Sequence, residues 1–372
     1  MIQQTKEAET RPVSRDTSGA MDPGKFFIAL VGLIIVLGLL FLGFIYLRES
    51  RGANPFNAVV AIVWGVGGVG ALYFTVNALI ESLPNKWRNR LLPFLFVGPG
   101  MALLIWVLTL PTLRTLYQSF FNNDTSSFVG FDNYIATFTD RGMLESFRNN
   151  LIWLFVGTGL IVIIGLLIAV LADRSKFETI AKALIFMPMA ISLVGASVIW
   201  RFIYAAAPAG QPQIGIQNAI LQAFGIEPQS WLTLQPWNNL FLIIVQLWAG
   251  TGFAMVLFSA AIKGVPGDLI EAARVDGATE VQSFFAITIP YIQGTIITVT
   301  TTTAIGTLKI FDVVYLMTGG QYGTSVVGTE FYRQFFTNSN YGYGSAIAIV
   351  LFIAVSPVLI YNLRQFSKQE AF

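Results

Sequence analysis

PGDLIEAARVDGATEVQSFFAITIP, running from Pro266 to Pro290, is a polar stretch between two long apolar runs, and it carries the signals of two short helices joined at a glycine. Asp268, followed three residues later by Glu271, is placed to cap the first helix, and Thr279 with Gln282 repeats that grammar for the second. Gly277 supplies the break between them. Leu269, Ala272 and Ala273 recur at helical spacing as one apolar face and Val281, Phe284 and Phe285 as another, which leaves Glu271, Arg274, Asp276 and Glu280 for a partner. A capped polar knuckle of this kind is suited to being gripped from outside the bilayer.

The flanking sequence is that of a polytopic membrane protein. Of 372 residues 55% are hydrophobic and 11% charged, with a mean hydropathy of +0.66, whereas soluble domains carry about 25% charged residues. A bilayer core of about 30 Å needs roughly 20 apolar residues per helix. Eight stretches are predicted as spans: Phe26 to Leu47, Phe56 to Ile80, Leu91 to Leu110, Leu151 to Ala172, Ile180 to Tyr204, Asn239 to Ile262, Tyr291 to Leu316 and Ser345 to Tyr361. The expected class is therefore all-α and polytopic, about eight transmembrane helices, divided into a disordered cytoplasmic N-terminus over residues 1–24, two additional N-terminal helices over 25–90, and a six-helix core over 91–372 that holds the hairpin at 266–290.

Lys and Arg next to spans are retained in the cytoplasm, so counting them orients the chain. With the N-terminus inside, Lys6, Arg11, Arg15, Lys25, Lys86, Arg88, Arg90, Arg174, Lys176, Lys182, Lys263, Arg274, Arg364 and Lys368 are cytoplasmic, and Arg48, Arg51, Arg141, Arg148 and Arg333 are outside. That assignment makes both termini cytoplasmic and puts the hairpin where ATP is found. The net charge of +2 follows from this loop bias and gives no reason to invoke nucleic acid.

Glu271-Ala272-Ala273, three residues, Gly277, nine residues, Ile287, one residue and Ile289-Pro290 resemble the EAA signature of ABC-importer permeases, with Ile289 where that family usually has Leu. LLPFLFVGPG at Leu91, LPTLRTLYQSF at Leu110, FVGFDNY at Phe128, MPMAISLVGASVIWRF at Met187, WAGTGF at Trp248 and FDVVYLMTGG at Phe311 extend the likeness, which is greatest to the larger permease subunit of maltose-type carbohydrate importers. The connection from Pro111 to Asn150 departs from it, being too short for a large periplasmic insertion. The resemblance implies a conduit for a carbohydrate or related polyhydroxylated solute in a bacterial inner membrane. It implies that Glu271, Ala272, Ala273, Arg274, Asp276, Gly277, Ile287 and Pro290 form the coupling element. It implies as partners a second permease subunit, two ATP-binding subunits that carry the ATP and Mg, and an extracytoplasmic solute-binding protein. The rival from another class is a self-sufficient secondary transporter or channel, which often shows inverted repeats with broken helices; no such repeat is visible.

No enzyme is expected, and no metal site or cofactor on this chain: it has no Cys and no His, which removes thiol chemistry and histidine acid-base and metal chemistry. GAMDPGK at Gly19 has the spacing of a phosphate loop but is followed by Phe26 where a Ser or Thr would hold magnesium, so ATP hydrolysis is expected on a separate chain. For the solute path the polar and aromatic residues of two spans are the candidates: Gln246, Trp248, Thr251, Lys309, Phe311 and Asp312. Lys309 and Asp312, three apart on one helix, would either serve that path or pair with each other, and Trp248 would either face solute or pack. Thr295, Thr298, Thr300 to Thr303 and Thr307 would line a path or bond their own helix carbonyls. Ile216, Ile220 and Phe224 mark an interfacial helix, and Gly65, Gly67, Gly68 and Gly70 would let the second span pack closely.

Overall fold

The structure, a computed structural model, describes residues 21–50, 54–208 and 210–369, and it divides into two compact units at Thr112/Leu113. Among the described residues the regular elements are helices, six of them long and apolar enough to cross a membrane, or up to eight if each of two bent pairs is one span. Most of the expected N-terminal disorder lies outside the described residues, as do Gly19 and Ala20 of the phosphate-loop lookalike.

The first unit holds α1 (Pro23–Glu49), α2 (Pro55–Glu81) and the greater part of α3 (Asn85–Gln118). The 27 residues of α1 rise about 40 Å, enough for a core of about 30 Å. Each of the first two starts with a capping side chain before a proline: Asp22 accepts from the amides of Gly24 and Lys25 at 3.1 and 3.2 Å, and Asn54 from that of Phe56 at 3.0 Å. The two helices pack together, and Trp64 Nε1 donates to the carbonyl of Leu40 at 3.0 Å. Of the four glycines expected to permit close contact, Gly68 alone does so: a Cβ there would lie 2.3 Å from Leu40 Cδ2, while Gly65, Gly67 and Gly70 face open space.

The second unit runs through α4 (Asp132–Thr139), α5 (Arg141–Asp173), α6 (Glu178–Ala190), α7 (Leu193–Ile203), α8 (Ile216–Ala223), α9 (Asn238–Lys263), α10 (Gly267–Val275), α11 (Glu280–Tyr291), α12 (Gln293–Leu308), α13 (Asp312–Thr318), α14 (Val327–Tyr332) and α15 (Tyr341–Gln369). Helices α5 and α9 lie side by side and parallel: Trp153 Nε1 donates to Asn239 Oδ1 at 3.4 Å at one end, and Ser259 Oγ to Asp173 Oδ1 at 2.7 Å at the other. Trp153, Leu242, Ile243, Val313 and Val314 form one buried cluster beside them, and Ile161, Met255, Phe258 and Val299 a second.

Two spans read as continuous are broken. The run from Ile180 to Tyr204 bends by 102° between α6 and α7. Pro188 brings no amide hydrogen to the helix, the turn over Met187–Ala190 tightens, and Ser192 restarts the chain by capping Gly195 N at 3.1 Å. The end of α6 rests directly on α9, since a Cβ at Gly252 would lie 2.6 Å from the carbonyl oxygen of Ile185. The run from Tyr291 to Leu316 is interrupted twice, by a 69° bend at Ile292 and by Lys309 to Phe311, which are not helical. Asn150 on α5 explains the second break: its Nδ2 donates to the Leu308 carbonyl left free at the helix end, at 3.1 Å, while its Oδ1 accepts from Val327 N at 2.8 Å. Asn149 beside it donates to the carbonyls of Gly323 and Ser325, both at 2.8 Å. Irregular backbone at membrane depth persists where side chains satisfy it in this way.

The short helix expected at Ile216 to Phe224 forms as α8. Ile216, Ile220 and Phe224 are exposed, and the buried side is built on Asn218, which bonds the carbonyls of Ala205 and Gln229 and the amide of Gln229.

Candidate functional site

The hairpin at 266–290 is two helices set against the end of the second unit where α5 and α9 finish. Helix α10 stops through a paired hydrogen-bond motif: Ala278 N donates to the Ala273 carbonyl at 2.9 Å and Gly277 N to that of Arg274 at 3.0 Å, with Gly277 at φ +85°. That left-handed conformation suits glycine because it has no Cβ. Helix α11 starts with a reciprocal cap, Thr279 N donating to Gln282 Oε1 at 2.8 Å and Gln282 N to Thr279 Oγ1 at 3.3 Å. The matching cap expected at Asp268 does not form. Helix α10 begins at Gly267 after Pro266, so Asp268 already lies in the first turn, where its charge still favours the positive end of the helix dipole.

The charges of the hairpin sort into two groups. Arg274 and Glu280 are not free, since Arg274 Nη2 and Nε reach Glu280 Oε1 at 2.8 and 3.1 Å. Arg174, directly after α5, approaches the other oxygen of Glu280 at 3.4 Å and so ties the hairpin to the bundle. All three are more than half exposed, and each pair is worth about 0–1 kcal/mol, so they orient the hairpin more than they stabilise it. Glu271 and Asp276 are exposed and make no ion pair among the described residues, and Val275 between them is 83% exposed. Ala272 is exposed and Ala273 half-buried. Ile287 lies in a widened turn over Phe284–Thr288, and Pro290, which offers no amide to the carbonyl four residues back, follows just before the bend at Ile292.

Beneath the hairpin is a cavity of about 220 Å³ lined by Val170, Asp173, Ile262, Ile270, Ser283 and Phe284 among others, so the knuckle does not sit on a fully packed floor. Beside it, Asp173, Glu178, Lys182 and Lys263 form a continuous ion network at the ends of α5, α6 and α9, with Lys182 Nζ 2.5 Å from both Asp173 Oδ1 and Glu178 Oε1.

The six residues expected on a solute path do not converge. Gln246 faces an open cavity of about 290 Å³ between α9, α12 and the break after Pro188, also lined by Met189, Phe253, Thr302, Thr303 and Gly306. Its Nε2 donates to Thr307 Oγ1 at 2.7 Å and its buried Oε1 has no protein partner. The hydroxyl of Thr251 is used by its own helix, donating to the Leu247 carbonyl at 2.6 Å. Trp248 packs edge-on against Trp200, with ring centroids 5.9 Å apart. Lys309 and Asp312 do not share a helix face and form no ion pair: Lys309 ends α12 and Asp312 starts α13. Phe311 stacks on Tyr315 at 4.9 Å, away from Gln246's cavity. Of the threonines, Thr298, Thr301 and Thr307 bond the carbonyls of Gly294, Ile297 and Thr303, and the cavity takes Thr302 and Thr303. The helix break that opens the cavity was marked in sequence only by Pro188 inside an apolar run.

Residues 143–369 match the family described as binding-protein-dependent transport system inner membrane component. The chain belongs to that family. This permease is 50% identical over 276 residues to the osmoprotective compounds uptake permease protein GgtC of Synechocystis sp., covering 74% of this chain and 99% of that one. It is 41% identical over 327 residues to the alpha-glucoside transport system permease protein AglF of Rhizobium meliloti, covering 84% and 97%. A chain of the crystal structure of a bacterial ABC transporter involved in the import of the acidic polysaccharide alginate superposes with a TM-score of 0.65 at 21% identity, over 75% of this chain and 97% of that one, and supports the fold. The protein is thus a multi-pass inner-membrane permease subunit of an ABC importer and not an enzyme, and it works with an ATPase on a separate chain and a binding protein.

Proposed function

We propose that this permease moves a carbohydrate or a related polyhydroxylated solute by alternating access, driven through the hairpin at Pro266 to Pro290. The observation that carries the coupling role is the sorting of charge on that hairpin: Arg274 pairs with Glu280 and Glu280 with Arg174 of the bundle, while Glu271 and Asp276 are exposed without an ion pair among the described residues and Val275 is exposed between them. Such a surface is complementary to a cleft with a cation and an apolar floor. The cation count supports a cytoplasmic hairpin and cytoplasmic termini. In this reading two ATP-binding subunits, holding ATP and Mg, close on the hairpins of this chain and of a second permease subunit. Arg274, Gly277 and the turn at Ile287 and Pro290 then pass that closure into α12, and the importer alternates between outward and inward states while an extracytoplasmic binding protein delivers solute.

The solute class rests on relatives named for alpha-glucoside and osmoprotective-compound transport. The cavity lined by Gln246, Thr302 and Thr303 supports it chemically, since amide and hydroxyl side chains suit a neutral hydroxylated solute. In this reading residues 25–90 are accessory helices and 91–372 the core. The test is uptake by the reconstituted complex. Transport of a labelled sugar or polyol that stops without ATP while ion gradients persist supports the reading, and gradient-driven uptake by this chain alone would overturn it in favour of a secondary transporter.

A further inference from the structure

A cavity of about 760 Å³ lies in the first unit between the beginning of α1, the end of α2 and the beginning of α3. Small side chains open it, since Ala29, Gly32, Thr75 and Ala78 face one another there, and Ile28, Phe74 and Leu92 complete an apolar wall. Its rim at the helix ends is polar. Arg88 is half-buried, and its guanidinium has no hydrogen-bond or ion-pair partner among the described residues. Lys25 is highly exposed and shared with Asp22 at 3.4 Å, and the Asn89 amide lies beside it on the rim. Two carboxylates also stand here: Glu81, which accepts from Asn77 Nδ2 at 3.0 Å, and Asp22 beside Lys25. Lys86, Arg90 and the exposed indole of Trp87 flank the groove on the first turns of α3, which places this end at the level of lipid headgroups.

An apolar groove between helices that ends in Arg88 and Lys25 matches an amphiphile with a hydrocarbon chain and an anionic head. We propose that this groove is a binding site for one anionic phospholipid, its phosphodiester held by Arg88 and Lys25 and an acyl chain laid against Ile28, Phe74 and Leu92. The volume falls within the range of about 300–1,000 Å³ usual for ligand sites. Clustered cations beside spans attract anionic lipid, and guanidinium matches phosphate geometry. The site gives the first two helices a role independent of coupling.

The test is native mass spectrometry of the intact importer released from nanodiscs of equal phosphatidylglycerol and phosphatidylcholine. The expected result is retention of phosphatidylglycerol, with about a fivefold drop in apparent affinity for each of Arg88→Gln and Lys25→Gln. Arg90→Gln, an exposed cation outside the groove, is expected to retain lipid as the unaltered protein does, and ATP-driven uptake checks that each variant is assembled. Equal retention of phosphatidylcholine, an equal drop for Arg90→Gln, displacement by millimolar inorganic phosphate, or undiminished retention in the Arg88→Gln, Lys25→Gln double variant would each overturn the proposal.

Discussion

Gly277 is the residue on which the hairpin's shape turns. At φ +85° it donates its amide to Arg274, and proline there would fix φ near −65° and remove that donor. Gly277→Pro is expected to insert and assemble but to hydrolyse ATP without matching uptake, measured as solute moved per ATP in proteoliposomes; an unchanged ratio would refute the role. Gly277 was legible because its conformation is set by immediate neighbours in the chain. Which way the polar and aromatic residues of a span face was not legible, since polarity and aromaticity do not reveal direction. Gln246 lines a cavity, while Trp248, two positions on, packs against Trp200. Gln246→Leu is therefore expected to raise the half-saturation concentration for uptake by up to about tenfold, the worth of one hydrogen bond. Trp248→Ala should leave that concentration in place and lower the melting temperature, through lost packing of a partly buried ring. The opposite pattern would exchange the two residues' roles.

At the scale of elements, the hairpin helices and the long spans follow from caps and hydropathy, whereas the breaks in α6–α7 and around Lys309 do not. A hydropathy window averages over Pro188 in a run that is apolar throughout. The break after Leu308 depends on Asn150, which is 158 residues away in sequence and replaces the lost helix bond. Spacing arguments such as Lys309 with Asp312 assume an unbroken helix and fail where a distant side chain makes the break stable. The close seat of α6 on α9 yields a sharp expectation. Gly252→Ala places a methyl 2.6 Å from the Ile185 carbonyl oxygen and 2.7 Å from Phe186 Cα, so backbone must move, at an overpacking cost of about 1–3 kcal/mol. A lowered melting temperature of the detergent-purified complex is expected, and an unaltered one would mean that α6 does not rest there.

For the molecule as a whole, composition established a polytopic helical protein, and the cation count proposes an orientation with the hairpin in the cytoplasm. In the proposed coupling the hairpin is the part of the chain that the ATPase holds as its closure moves the spans. The absence of cysteine makes this testable with a single introduced thiol. Val275, 83% exposed between Glu271 and Asp276, is the position of choice. In the assembled importer, Val275→Cys paired with single cysteines in the cleft of the ATP-binding subunit is expected to form a disulfide whose yield changes between nucleotide-free and ATP-bound states. If no cleft position captures Val275→Cys in either state, while cysteines elsewhere on the same face of the permease do cross-link to the ATP-binding subunit, the hairpin is not the coupling element.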